Sequence, residues 1–168
     1  MKINLNAGIS MLEVVITLSI LSVVSVASVW LVFTTLSLRD QALATTATNE
    51  SLRVFSRTLS KAVQGASVVS GTPTSLLLTS ISECWSFVYD ATAKNVRYSQ
   101  IVAQGCTPNP SPSTLFFPSY SEVTSFNFSV SPLATGGRQV FASGVVNTIL
   151  PFENYQINFS DTFTNVVD

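Results

Sequence analysis

Histidine is absent from all 168 residues, which excludes a Ser-His-Asp site, a Cys-His dyad and any His-ligated metal. Charge is nearly as scarce. Eight Lys and Arg stand against nine Asp and Glu, 10% of the chain, for a net charge of −1. That balance leaves no basic footprint for direct nucleic-acid binding. There is no glycine-rich phosphate loop of the P-loop or dinucleotide type. The acidic residues are scattered singly, so no calcium loop stands out. Lys61 and Lys94 lie in no recognisable Ser-Lys motif. No enzymatic activity, cofactor or metal is expected.

Cysteine is limited to two residues, Cys84 and Cys106. In an exported domain the simplest reading is one disulfide, against the alternative of two separate buried thiols. Neither cysteine lies near the N-terminus, which argues against a lipid-anchored precursor. Glycine and proline are missing from Ile9 to Gln64. This permits one helix from Ile9 to about Gln64, closed by a left-handed Gly65 and roughly 84 Å long if unbroken. Such a length needs a membrane or a partner to support it.

Within it, Val14 to Leu38 carry no charge at all. As a helix this run is about 37 Å long, enough to cross a hydrocarbon core of about 30 Å. Val, Ile, Thr and Ser dominate it. These form helices poorly in water but acceptably in lipid, where backbone bonds must close internally. Ser19, Ser22, Ser25 and Ser28 recur every third residue, either letting helices approach closely or simply bonding their own i−4 carbonyls. Glu13 sits at the edge of the run. A carboxylate there is costly, about 2.5–3.5 kcal/mol at mid-membrane, so its presence calls for a function.

Beyond Leu38 the pattern becomes amphipathic. Leu36, Leu43, Ala47 and Val54 share one line. Leu52, Phe55, Leu59, Ala62 and Val63 form an adjoining sector, with Arg39, Glu50, Arg53, Arg57 and Lys61 opposite. This half is expected to pack on a globular domain through Phe55 and Leu59. The like-charged Arg53, Arg57 and Lys61 read as a solvated face or as a contact with acidic groups on neighbouring subunits.

After Gly65 the period changes to two. Val68-Val69 and Leu76-Leu77-Leu78 flank a turn at Gly71-Thr72-Pro73. The clearest hairpin runs from Cys84 to Asp90 and from Asn95 to Ile101, through Ala91 to Lys94. If Asp90 faces Asn95, then Trp85, Phe87, Tyr89, Val96 and Tyr98 share a face for the helix to cover. Cys84 then lies opposite Ile101, and Cys106 is close enough to fold back to it. Residues 104–120, with four prolines, read as a surface loop. Val123 to Val130, Gln139 to Val146 and Tyr155 to Asp161 read as further strands, with Phe126, Phe128, Val130, Tyr155, Ile157 and Phe159 inward. A turn is expected at Gly136-Gly137. The Asn-X-Ser triplets at Asn49, Asn127 and Asn158 are read as chance.

Two ordinary explanations of the N-terminus compete. A Sec signal would cut after Ala27, where Ser25-Val26-Ala27 supplies small residues, but it would leave a strongly apolar new terminus. An uncleaved anchor fits the length. Neither explains Glu13 or the glycine before Ile9.

The hexapeptide Gly8-Ile9-Ser10-Met11-Leu12-Glu13, followed by the uncharged run, resembles the class III leader of type IV pilins and the pseudopilins of type II secretion and DNA-uptake (competence) systems. The resemblance covers about twenty-five residues. It implies that prepilin peptidase cuts between Gly8 and Ile9, that Ile9 becomes N-methylated, and that Glu13, the fifth mature residue, serves assembly. It also implies a single-pass inner-membrane protein with a cytoplasmic N-terminus, later part of an extracytoplasmic filament. Its partners would be other pilin or pseudopilin subunits, the peptidase, the inner-membrane assembly machinery and membrane lipid. Ser22 and Trp30 stand where major pilins often place Gly or Pro, which favours a minor subunit. The presence of Glu13 argues against a filament-capping role.

The expected fold is α+β, a long N-terminal helix packed on a C-terminal antiparallel sheet. The expected segments are a leader (1–8), a membrane or filament-core half-helix (9–38), an amphipathic half (39–64) and a β-domain (65–168). The alternative is an exported binding or adhesion module with an uncleaved anchor or a Sec signal.

Overall fold

The computed structural model of the chain describes residues 11–134, 136–149 and 154–165. The expected cleavage and methylation positions, Gly8 and Ile9, lie outside the described residues. The fold is α+β. Among the described residues one helix, α1 (Met11–Gly65), precedes eight strands: β1 (Val68–Thr72), β2 (Ser75–Thr79), β3 (Glu83–Asp90), β4 (Asn95–Val102), β5 (Thr114–Leu115), β6 (Ser121–Pro132), β7 (Arg138–Thr148) and β8 (Tyr155–Asn165). The chain divides into two compact units, with the boundary inside α1 between Ala42 and Leu43.

In the first unit the described helix is apolar and its large side chains are exposed. It is long and apolar enough to cross a membrane. The hydroxyls of Thr17, Ser19, Ser25, Ser28, Thr34 and Thr35 each donate to the carbonyl four residues back, at 2.7–2.9 Å. Residues that are weak helix formers in water thus satisfy their polar atoms against their own backbone, as a lipid environment demands. The serine repeat is explained in this way at Ser19, Ser25 and Ser28.

In the second unit, the α1 residues from Leu43 on pack against two antiparallel sheets. Sheet A has the order β1-β2-β3-β4-β5, and sheet B the order β6-β7-β8. The β3–β4 hairpin has the register expected from its alternation: Asp90 faces Asn95, Phe87 faces Tyr98 and Cys84 faces Ile101. Its turn is held by the Asp90 carboxylate, whose Oδ1 accepts from the amides of Thr92 (2.9 Å) and Ala93 (3.0 Å). Lys94 can therefore adopt a φ of 46°, a left-handed conformation uncommon outside Gly, Asn and Asp. The Ala93 amide and the Arg97 guanidinium (2.8 Å) hold the Asp90 carboxyl below the usual carboxylate range.

Sheets A and B are joined by backbone bonds from Val123 to Lys94 (2.7 Å) and from Phe128 to Pro73 (2.9 Å). The Tyr89 hydroxyl adds bonds to the carbonyls of Val123 and Thr124. Thr124 is the extra residue of a β6 bulge.

Phe55 is the hub of the core. It is 1% exposed, and five phenylalanine rings surround it with centroids at 5.1–5.9 Å: Phe87 of sheet A, Phe116 and Phe117 after β5, and Phe126 and Phe159 of sheet B. Gly144 lies between Phe126 and Phe159 in register. A Cβ there would stand 2.7 Å from the Phe159 ring and 2.8 Å from the Ser125 carbonyl. The missing side chain lets those two rings close over the centre of sheet B.

Three expectations need correction. Gly65 is not left-handed. The helix ends instead with the Ala66 amide on the Val63 carbonyl (3.2 Å) and the Ser67 amide on Thr79 (2.7 Å). Sheet A captures the chain at once, so no glycine closure is required. Residues 104–120 are not simply a loop: they include β5, the buried Phe117 and the buried Pro112. Asn95 makes the difference, accepting from the Phe117 amide and donating to its carbonyl. Tyr155 is 47% exposed despite its inward parity, because the start of β8 lies beyond the core. Of the two apolar lines of α1, the one through Phe55 and Leu59 is buried, whereas Leu43 and Val54 on the other remain exposed.

Candidate functional site

Glu13 stands in the first described turn of α1. Its backbone carbonyl accepts from Thr17 Oγ1 at 2.8 Å. Its exposed carboxylate makes no ion pair among the described residues, where the only pairs are Lys94–Glu122 and Arg97–Asp90. A lone carboxylate on an otherwise uncharged helical run can do one chemical thing well in lipid: accept a cation from another molecule. Beyond it, the side chains from Val14 to Leu38 carry no charge and present a largely apolar, exposed surface. Ser22, Val26, Ala27 and Trp30 line a shallow depression there.

The second part of the site is the interface that attaches the helix to the β-sheets. Phe55, Leu59, Trp85 and Phe87 come together in one core. Tyr89 and Tyr98 are half-buried at its border, Tyr89 through its hydroxyl bonds to β6 and Tyr98 against Phe116 at 5.1 Å.

Three polar attachments have no local signal in the sequence. The hydroxyls of Thr48, Ser121 and Thr148 meet in a buried triad at 3.0–3.1 Å. Ser56 donates to Asp161 at 2.6 Å, and Asn165 donates to the Ala66 carbonyl. Each joins residues far apart in the chain, so the sequence shows their hydroxyl or amide content and nothing of their pairing.

Cys84 and Cys106 are bonded to each other, with Cα atoms 5.9 Å apart. The bond ties the segment after β4 to the start of β3. With a separation of 22 residues, it should stabilise the domain by about 3 kcal/mol in the chain-entropy model. A Cys84→Ser/Cys106→Ser variant is expected to lose about that amount in urea titrations, whereas an unchanged midpoint would remove the stabilising role.

Two open grooves flank the exposed ridge of α1. One, about 650 Å3, is bordered by Arg53, Arg57 and Asp161. The other, about 520 Å3, is bordered by Val54, Tyr98 and Leu115. Among the described residues no group of His, Cys, Asp or Glu side chains is placed to hold a metal ion. Comparison of this chain with protein-family models, with curated proteins and with solved structures finds no match.

Proposed function

We propose that this chain is a structural subunit of a type IV pilus-like filament, a minor pilin or minor pseudopilin made as a prepilin. In this reading prepilin peptidase removes residues 1–8, and the new N-terminus at Ile9 is methylated. The uncharged half of α1 holds the protein in the cytoplasmic membrane, N-terminus inward, until it joins a filament by helix packing. The observation that carries the reading is the continuity of α1. One helix, without Gly or Pro before its last residue, passes from an uncharged, membrane-compatible run bearing a single carboxylate into an amphipathic stretch covered by β-sheets. A plain anchor requires neither that continuity nor Glu13.

The chemistry of Glu13 follows from its surroundings. A carboxylate in hydrocarbon must find a cation or a proton. Cleavage before Ile9 creates one, the α-ammonium of a neighbouring subunit, whenever the two helices are staggered along their axes. Pairing offsets the desolvation of both groups and sets the register between subunits.

N-terminal sequencing of the protein from its native membrane tests the processing step. The expected terminus is an N-methylated Ile9. A terminus at Ser28 would mean a secreted module, and an intact Met1 an ordinary anchor; either would overturn the reading.

A further inference from the structure

Arg53, Arg57 and Lys61 follow one another at four-residue spacing on the exposed side of α1, opposite Phe55 and Leu59. The three cations span about 12 Å of helix. None makes a hydrogen bond or ion pair among the described residues, although Glu50 and Asp161 border the same groove as Arg53 and Arg57. Like charges at i, i+4 are mutually unfavourable. The arrangement therefore carries a mutual repulsion that no ion pair among the described residues offsets.

We infer that this stripe is a docking surface for the acidic face of a different protein chain. Charge selects the occupant. A second copy of this chain is a poor match, because its described carboxylates are scattered singly over the helix and both sheets and two of the seven are already ion-paired, Asp90 with Arg97 and Glu122 with Lys94. No described acidic row answers the basic one. A nucleic-acid backbone is also a poor match, since the carboxylates of Glu50 and Asp161 beside the arginines would face a continuous line of phosphates. A protein face carries separated carboxylates. It can place them on the guanidiniums, where the planar fork accepts them bidentately, and turn neutral donors toward Glu50 and Asp161. In the filament reading, on which this inference rests for its biological setting, the partner is a non-identical subunit of the same assembly.

The test uses the full chain in phosphatidylcholine nanodiscs and a fluorescent deca-glutamate peptide as the probe, followed by anisotropy. Binding is expected to weaken at least ten-fold in Arg53→Gln/Arg57→Gln/Lys61→Gln, with an unchanged circular dichroism spectrum, and to be unaffected by Arg138→Gln. It should also fall about ten-fold between 50 and 300 mM salt. Equal binding by the triple variant overturns the inference. Tighter stripe-dependent binding of a 20-base-pair DNA duplex, of phosphatidylglycerol nanodiscs or of a second copy would assign the surface to another occupant and overturn it equally. None of these readouts depends on cleavage at Gly8, so this inference and the filament reading can fail separately.

Discussion

Phe55→Ala, made in the full chain and measured in detergent micelles, is expected to lower the stability of the β-domain by about 3–5 kcal/mol, the range for removing a fully buried aromatic side chain. The site should fall at the upper end. Phe55 is touched by rings from both sheets and from the segment after β5. Those rings are fixed on separate elements, so they cannot all move inward to fill the space. Edge-to-face contacts with Phe87, Phe116, Phe126 and Phe159 add to the loss beyond buried area alone. Domains of this kind have about 5–15 kcal/mol to lose. At a urea slope of about 2 kcal/mol per molar, the midpoint should drop by about 2 M. Val54→Ala is the adjacent control. Val54 is 45% exposed, and its truncation should move the midpoint little. A Phe55→Ala midpoint equal to that of the control would mean that the helix is not held by this hub.

Under the proposed filament reading, Glu13→Ala should leave membrane insertion and processing intact while reducing entry into filaments by more than about a hundred-fold. Removing one partner of a buried ion pair leaves the other charge uncompensated, at about 3–5 kcal/mol per contact, and each 1.4 kcal/mol is about a factor of ten. Insertion is not harmed, because the substitution takes a costly charge out of an apolar segment. The measurement is the ratio of the chain in sheared filaments to the chain left in the membrane. Glu13→Gln preserves shape and hydrogen bonding but not charge, so it should assemble nearly as poorly. A normal ratio in both variants would remove the pairing with the α-ammonium. A defect in Glu13→Ala alone would point to hydrogen bonding rather than charge.

The hairpin from Cys84 to Ile101 shows how far sequence reasoning reaches. Its alternation, a four-residue turn and the Asp90–Asn95 pairing are sufficient to assign every facing pair, because a one-residue slip would turn Trp85 and Phe87 off the face they share with Tyr89. The same logic picks Phe55 and Leu59 from the helix, since 3.6-residue periodicity places both on one side. It fails where the answer depends on distant residues. Nothing around Gly65 signals that Thr79 will capture the chain just beyond it. Nothing around Phe117 signals that Asn95 will bond both of its backbone groups. Gly144 reads as an unremarkable strand glycine until the rings of Phe126 and Phe159 are seen to close over it.

Composition and periodicity by themselves determined the long helix, its division into uncharged and amphipathic stretches, the antiparallel character of the C-terminal strands, and Glu13 as the anomaly in need of a function. These are local properties: charge, breaker residues and hydrophobic period act over a few neighbours and need no knowledge of the rest of the chain. Tertiary structure alone decided that the strands divide into two sheets rather than one, that the apolar line through Phe55 is covered while Leu43 and Val54 stay exposed, and that Arg53, Arg57 and Lys61 pair with no carboxylate among the described residues. Each of these turns on which distant groups meet, and pairing at long range is set by the packing of the whole core around Phe55.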